Sequence, residues 1–131
     1  MKSGLALFLS ALLLGGCTQT APAKGHEYST PTPQPAEAGF NQSLALNGVT
    51  ITPLSLVEDS RCPINAMCVW QGRLIISARI ARDGREEDVR LSLKEPKQVL
   101  GRTITLETAL PSRQSGVEIA AEDYRFSFSG G

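Results

Sequence analysis

Two dipeptides, Asn47-Gly48 and Asp83-Gly84, lie between arms in which large apolar residues recur at every second position. This pairing of features leaves the chain little freedom. Both central residues of a two-residue type I′ turn need positive φ, which Asn, Asp and Gly tolerate, and the twist of that turn matches two antiparallel strands. Around Asp83-Gly84 a two-residue loop sets Leu74 opposite Leu93, Ile76 opposite Leu91 and Ala78 opposite Val89 on one face. On the other face Arg79 meets Asp88, an opposite-charge pair, while Arg82 and Arg85 face each other at the turn, where solvent screens them. Around Asn47-Gly48 the same rule pairs Leu46 with Val49 and Leu44 with Ile51.

Further along, Ile104 and Leu106 alternate with Thr103, Thr105 and Glu107, and Tyr124, Phe126 and Phe128 alternate with Arg125, Ser127 and Ser129. Those are two more one-face strands. Pro53 interrupts the arm after Asn47-Gly48, and the apolar phase then slips to Leu54 and Leu56, as a bulge or an edge strand allows. Ser115 to Ala121 fits a helical turn or a short strand, and no amphipathic helix stands out. Roughly six or seven strands with close turns in about 90 residues predict an all-β domain over 40–131, a small antiparallel sandwich or open barrel.

Upstream the pattern is different. Met1-Lys2-Ser3-Gly4 is a short, positively charged start, and Leu5 to Leu14 is an apolar run of signal-peptide length, too short to span a bilayer comfortably. Leu14-Gly15-Gly16-Cys17 follows and resembles the bacterial lipobox, whose Cys thiol takes diacylglycerol. This implies a lipoprotein signal peptide over 1–16 and a mature chain starting at acylated Cys17. Several buried acyl chains hold a protein to a bilayer without a transmembrane segment, at about 0.8 kcal/mol per methylene. Residue 18 is Thr, not the Asp that marks inner-membrane retention in enteric bacteria, so the resemblance favours the outer membrane's inner leaflet, facing the periplasm.

Residues 17–39 are mainly Thr, Ala, Pro, Gln, Gly and Ser with scattered charge, including Pro22, Pro31, Pro33 and Pro35 and few large apolar side chains. Such a stretch cannot build a core and reads as a flexible, Pro-rich linker at about 3.1 Å per residue when extended. The chain's single histidine, His26, falls inside it. Removing residues 1–16 takes away one base and leaves 12 basic against 13 acidic side chains. Near-neutrality without basic blocks argues against nucleic acid as a partner.

One segment departs from strand patterning: Glu58-Asp59-Ser60-Arg61-Cys62-Pro63-Ile64-Asn65-Ala66-Met67-Cys68-Val69-Trp70-Gln71-Gly72. With Cys17 acylated, Cys62 and Cys68 remain as an even pair in an exported chain, and a bridge between them closes a short loop. A redox pair would more usually be Cys-x-x-Cys, and a zinc site wants four ligands. A Cys/Met copper(I) site using Met67 is the remaining metal option. Trp70 is expected to cap the core beside the disulfide, the alternative being an exposed stacking residue. Asp59 and Arg61 read as a local salt bridge, although a rigid loop that presents Arg61 to a carboxylate or phosphate fits the same residues.

The run from Asp59 to Pro63, with Cys68-Val69-Trp70 and Gly72, resembles the Asp-Ser-Arg-Cys-Pro…Cys-(Ile/Val)-Trp-x-Gly signature of small bacterial lipoproteins. An Ala often follows the Trp in that group, where this chain has Gln71. The resemblance covers Phe40 to Phe128 in layout and is specific only in this loop. It implies a β-rich exported domain and carries no activity with it.

Beyond Phe40 no histidine is present, no serine has a visible base, and the acids sit in strand positions or beside a turn. A binding or structural module of the cell envelope is therefore expected, with no catalysis and no cofactor. Its partners would be the lipid bilayer through Cys17 and an envelope protein or small ligand. The loop residues Arg61, Ile64, Asn65, Met67 and Trp70 form the candidate contact surface. The competing expectation is envelope metal handling or thiol-redox chemistry at Cys62 and Cys68.

Overall fold

The computed structural model describes residues 36–131. The signal peptide, Cys17, His26 and most of the expected linker lie outside the described residues. The strands are β1 (Glu37–Ala38), β2 (Leu44–Leu46), β3 (Val49–Asp59), β4 (Leu74–Arg82), β5 (Arg85–Ser92), β6 (Pro96–Val99), β7 (Arg102–Leu110) and β8 (Arg125–Gly130). A single 3₁₀ turn, Ala121–Asp123, precedes β8, so the 115–121 stretch is turn and irregular chain.

Both Xaa-Gly hairpins form in the expected register. Leu44 pairs with Ile51 and Leu46 with Val49, while Ile76 pairs with Leu91, Ala78 with Val89 and Arg79 with Asp88. The two hairpins join through β3 and β4 into one sheet, ordered β2-β3-β4-β5. The chain then crosses over, with an isolated bridge from Leu93 to Leu106, and β6-β7-β8 build a second sheet that β1 completes beside β8. The result is an antiparallel sandwich of two four-stranded sheets that does not close into a barrel.

The alternating residues meet between the sheets. Ile51, Leu74, Ile76, Ile80 and Leu91 on one side and Ile104, Leu106 and Phe126 on the other are fully buried. Fully burying such a side chain is worth about 1.5–3 kcal/mol, which fixes the register, because a slip of one residue would turn the whole set to water. Outer strands are poor templates for further pairing: β1 and β2 are very short, β6 begins with a proline, and β5 opens on Arg85-Glu86-Glu87.

β3 runs as an inner strand, not an edge, and Pro53 is accommodated by register shifts at Pro53–Ser55 and Leu56–Glu58. The first shift resets the apolar phase, so Leu56 comes opposite the buried Ile76, and there it lines a groove rather than the core. β1 lies within the stretch whose composition reads as linker. Ala38 pairs with Phe126 and is buried, so the sandwich takes in residues 37–38, ahead of the expected boundary at residue 40.

The turns at Asn47-Gly48, Asp83-Gly84 and Leu100-Gly101 all lie at one end of the sandwich. There the Asn47 side chain donates to Gly130 O and Arg82 Nη1 to Leu100 O at 2.7 Å. The opposite end carries the segment between β3 and β4 and the segment between β7 and β8. Phe40, Tyr124 and Phe126 close the core there, with ring centroids 5.0–5.7 Å apart.

Candidate functional site

Residues 60–73 leave β3 and return to β4 through a narrow neck. Ser60 N donates to Arg73 O at 2.8 Å and Cys62 N to Gln71 O at 2.9 Å. Glu58 receives the Ser60 hydroxyl at 2.8 Å and Arg73 Nε at 2.9 Å. Gly72 sits in the neck with φ of +67°, and a Cβ there would lie 1.7 Å from Ser60 O. Only glycine lets the two arms approach this closely. Above the neck Cys62 and Cys68 are joined, with their Cα atoms 5.9 Å apart.

Below the neck lies the network that orients the loop. Arg61 Nε and Nη2 donate to the two Asp59 carboxylate oxygens at 2.8 and 2.7 Å. Nη1 donates to Ala109 O at 2.6 Å, and Nη2 also to Pro111 O at 3.1 Å. The Tyr124 hydroxyl donates to Asp59 Oδ2 at 2.9 Å, so the loop base is tied both to β7 and to the aromatic cluster. The side chains of Arg61 and Asp59 are only 14% and 5% exposed.

Burial pushes the Asp59 carboxyl up, but hydrogen bonds from Arg61 and Tyr124 outweigh it and hold the group below the usual carboxylate value. Burial, then the bond to Asp59, pushes the Tyr124 phenol up to about 12. Asp59 is thus ionised and Tyr124 neutral at neutral pH, the pairing in which each bond is made. All three guanidinium nitrogens of Arg61 are engaged, and its side chain faces inward. Of the two readings open for Arg61, the geometry is that of the salt bridge, not of a cation offered to a ligand.

Asn65 is also occupied within the domain: its Oδ1 accepts from Ser115 N at 2.8 Å. Ile64 N donates to Arg113 O at 2.9 Å, and Arg113 Nη1 to Arg61 O at 3.1 Å. The 111–116 segment therefore buttresses one side of the loop.

What remains is the tip. Ile64, Met67, Val69 and Trp70 are 69%, 103%, 92% and 82% exposed. Trp70 does not cap the core, contrary to expectation, because Phe40, Tyr124 and Phe126 already fill that end of the sandwich. The five candidates thus divide by role. Arg61 and Asn65 hold the loop, whereas Ile64, Met67 and Trp70, together with Val69, project from it.

A second feature was not legible in the sequence. Phe40, Leu54, Leu56, Ile119 and Tyr124 line an open groove of about 400 Å³ between β3 and the chain ahead of β8. Its walls come from three segments far apart in the chain, so no local pattern announces it. Among the described residues no group of three or more His, Cys, Asp or Glu is placed to hold a metal. With Cys62 and Cys68 bonded to each other, neither is a free thiolate.

No protein-family model, curated protein or solved structure matches this chain.

Proposed function

We propose that the chain is an exported lipoprotein, held by acylated Cys17 to the periplasmic face of the outer membrane, whose β-domain is a non-catalytic binding module of the envelope. The observation that carries this reading is the division of labour within residues 60–73. A buried ion pair, a disulfide and a glycine-dependent neck fix a loop whose four large apolar side chains face water. Exposing such side chains on a rigid support forfeits burial energy and spares ordering entropy on contact, which is the physical signature of a recognition surface. The lipobox resemblance and the apolar run of Leu5 to Leu14 support the anchor.

The test has two parts. Intact mass spectrometry of the mature protein from its native membrane is expected to give a chain starting at acylated Cys17, with two further thiols alkylated only after reduction. A photoreactive residue at Met67 is expected to give a defined adduct in the envelope that the same residue at Glu87, exposed on β5, does not. A chain without acyl groups would overturn the anchor, and equal labelling at both positions would overturn the recognition surface.

A further inference from the structure

We infer that the partner of the 60–73 tip is a lipid surface: Ile64, Met67, Val69 and Trp70 insert into the headgroup and upper acyl region of the bilayer. This deepens the reading above and rests on it.

The shape of the tip is the first argument. Met67, Val69 and Trp70 stand nearly free of the domain, so they form a convex projection, not a flat patch. A projection of this kind enters a deformable medium without a pre-shaped socket. Trp suits that depth, since its ring is apolar and its N–H remains within reach of headgroups.

Charge is the second argument. Residues 60–73 and 111–117 contain Arg61, Arg73 and Arg113 and no acid. Arg61 is neutralised by Asp59 and Arg73 by Glu58 at 2.9 Å, so the tip brings no unpaired carboxylate toward a surface that would repel it. Arg113 has no carboxylate partner among the described ion pairs, and its Nη1 donates to Arg61 O at the loop base, so a positive charge and not a negative one stands behind the tip. Glu118, one residue beyond this set, and Glu95, which lines a groove with Cys62 and Gly72, are both exposed and bound the acid-free tip at its base. Along the first arm of the loop the N–H groups of Cys62, Ile64 and Ala66 are satisfied internally, which lowers the cost of leaving water there.

Confinement is the third argument. With Cys17 acylated as proposed, only residues 18–35 separate the anchor from the described domain, a reach of no more than about 65 Å at full extension. A tether of that length turns weak insertion into an intramolecular equilibrium at high effective concentration.

Trp70 is the chain's only tryptophan, so its fluorescence reports the tip alone. The mature lipoprotein is reconstituted, at about one copy per vesicle, in phosphatidylethanolamine and phosphatidylglycerol, with plain or acyl-brominated lipids. Bromination is expected to quench Trp70, and aqueous iodide is expected to reach it poorly. Introducing Met67→Asp and Val69→Asp together should leave the melting temperature unchanged while shifting the inserted fraction toward water by roughly ten-fold or more. Identical emission in plain and brominated vesicles, with full iodide access, would overturn the inference. If the Met67 crosslink then captures a protein, or a second copy, recognition by the loop stands and only its lipid partner falls. If that crosslink also matches the Glu87 control, both fall.

Discussion

Arg61 and Asp59, two residues apart in the chain, meet through parallel hydrogen bonds from Nε to Oδ1 and from Nη2 to Oδ2 while both side chains are largely buried. A pair this close in sequence could form in any loop. Here it is set beneath the neck by carbonyls of β7 and its following turn and by the Tyr124 hydroxyl. Removing one member of a buried pair leaves the other charged without its counter-ion, at a cost of about 3–5 kcal/mol. Asp59→Ala and Arg61→Ala are each expected to lower stability by about that amount in urea denaturation. Arg61→Lys should recover little of it, because an ammonium cannot reproduce the planar two-point contact or reach Ala109 O and Pro111 O together.

The same network sets the pH limits of the fold. Asp59 has a lowered folded-state pKa, so its contribution is complete above the ordinary value of 3.8 and is lost as pH falls through the lowered one. Tyr124 has a raised folded-state pKa, so its contribution is complete below 10.0 and is lost as pH climbs toward about 12. Urea midpoints measured against pH should decline at both extremes. Tyr124→Phe should flatten the alkaline limb. Asp59→Asn should flatten the acid limb only in part, since Glu58, Asp88 and Glu107 are lowered as well.

Gly72 and Gly84 offer a controlled comparison, both having positive φ, at +67° and +74°. At Gly84 an added Cβ meets open space, and Gly84→Ala is expected to cost only the left-handed backbone penalty, about 1–2 kcal/mol. At Gly72 the Cβ would collide with Ser60 O, so Gly72→Ala must break the neck and is expected to cost about 3 kcal/mol or more. Thermal melts of the two variants side by side would show the difference, and equal losses would mean that the neck yields easily.

These positions also show which parts of the molecule local sequence encodes. Hairpin registers were legible because Asn47-Gly48 and Asp83-Gly84 combine turn chemistry with a matching apolar face, and each signal checks the other. The β6–β7 hairpin was not, because its turn is Leu100-Gly101, with Leu100 at φ of 49°, a conformation that Leu rarely adopts and sequence patterning does not anticipate. β1 is two residues long and exists only through its pairing with β8. The exposure of Trp70 escapes local sequence for a related reason: whether a ring caps a core depends on what already occupies it, and Phe40, Tyr124 and Phe126 come from distant segments. The Cys pair and the Asp59–Arg61 bridge were readable because both are local.

The disulfide is a test of how much of the loop's shape is set from below. Closing a loop this short restrains the unfolded chain by only about 2 kcal/mol, and the bridge lies outside both sheets. Replacing Cys62 and Cys68 together by Ser should therefore lower the melting temperature while leaving the far-ultraviolet β signal intact. Arg61 to Asp59, Asn65 to Ser115 N and the Ser60–Arg73 neck do not run through the bridge, so the loop base should keep its place while the 66–70 tip gains freedom. Trp70 is already exposed, so its emission in plain buffer should barely change, whereas its fluorescence anisotropy should fall. Any binding measured through Met67 or Trp70 should weaken more than stability does, because the ordering cost that the bridge had removed returns on contact. Complete loss of β structure would mean that the bridge supports the sandwich itself and not the loop alone.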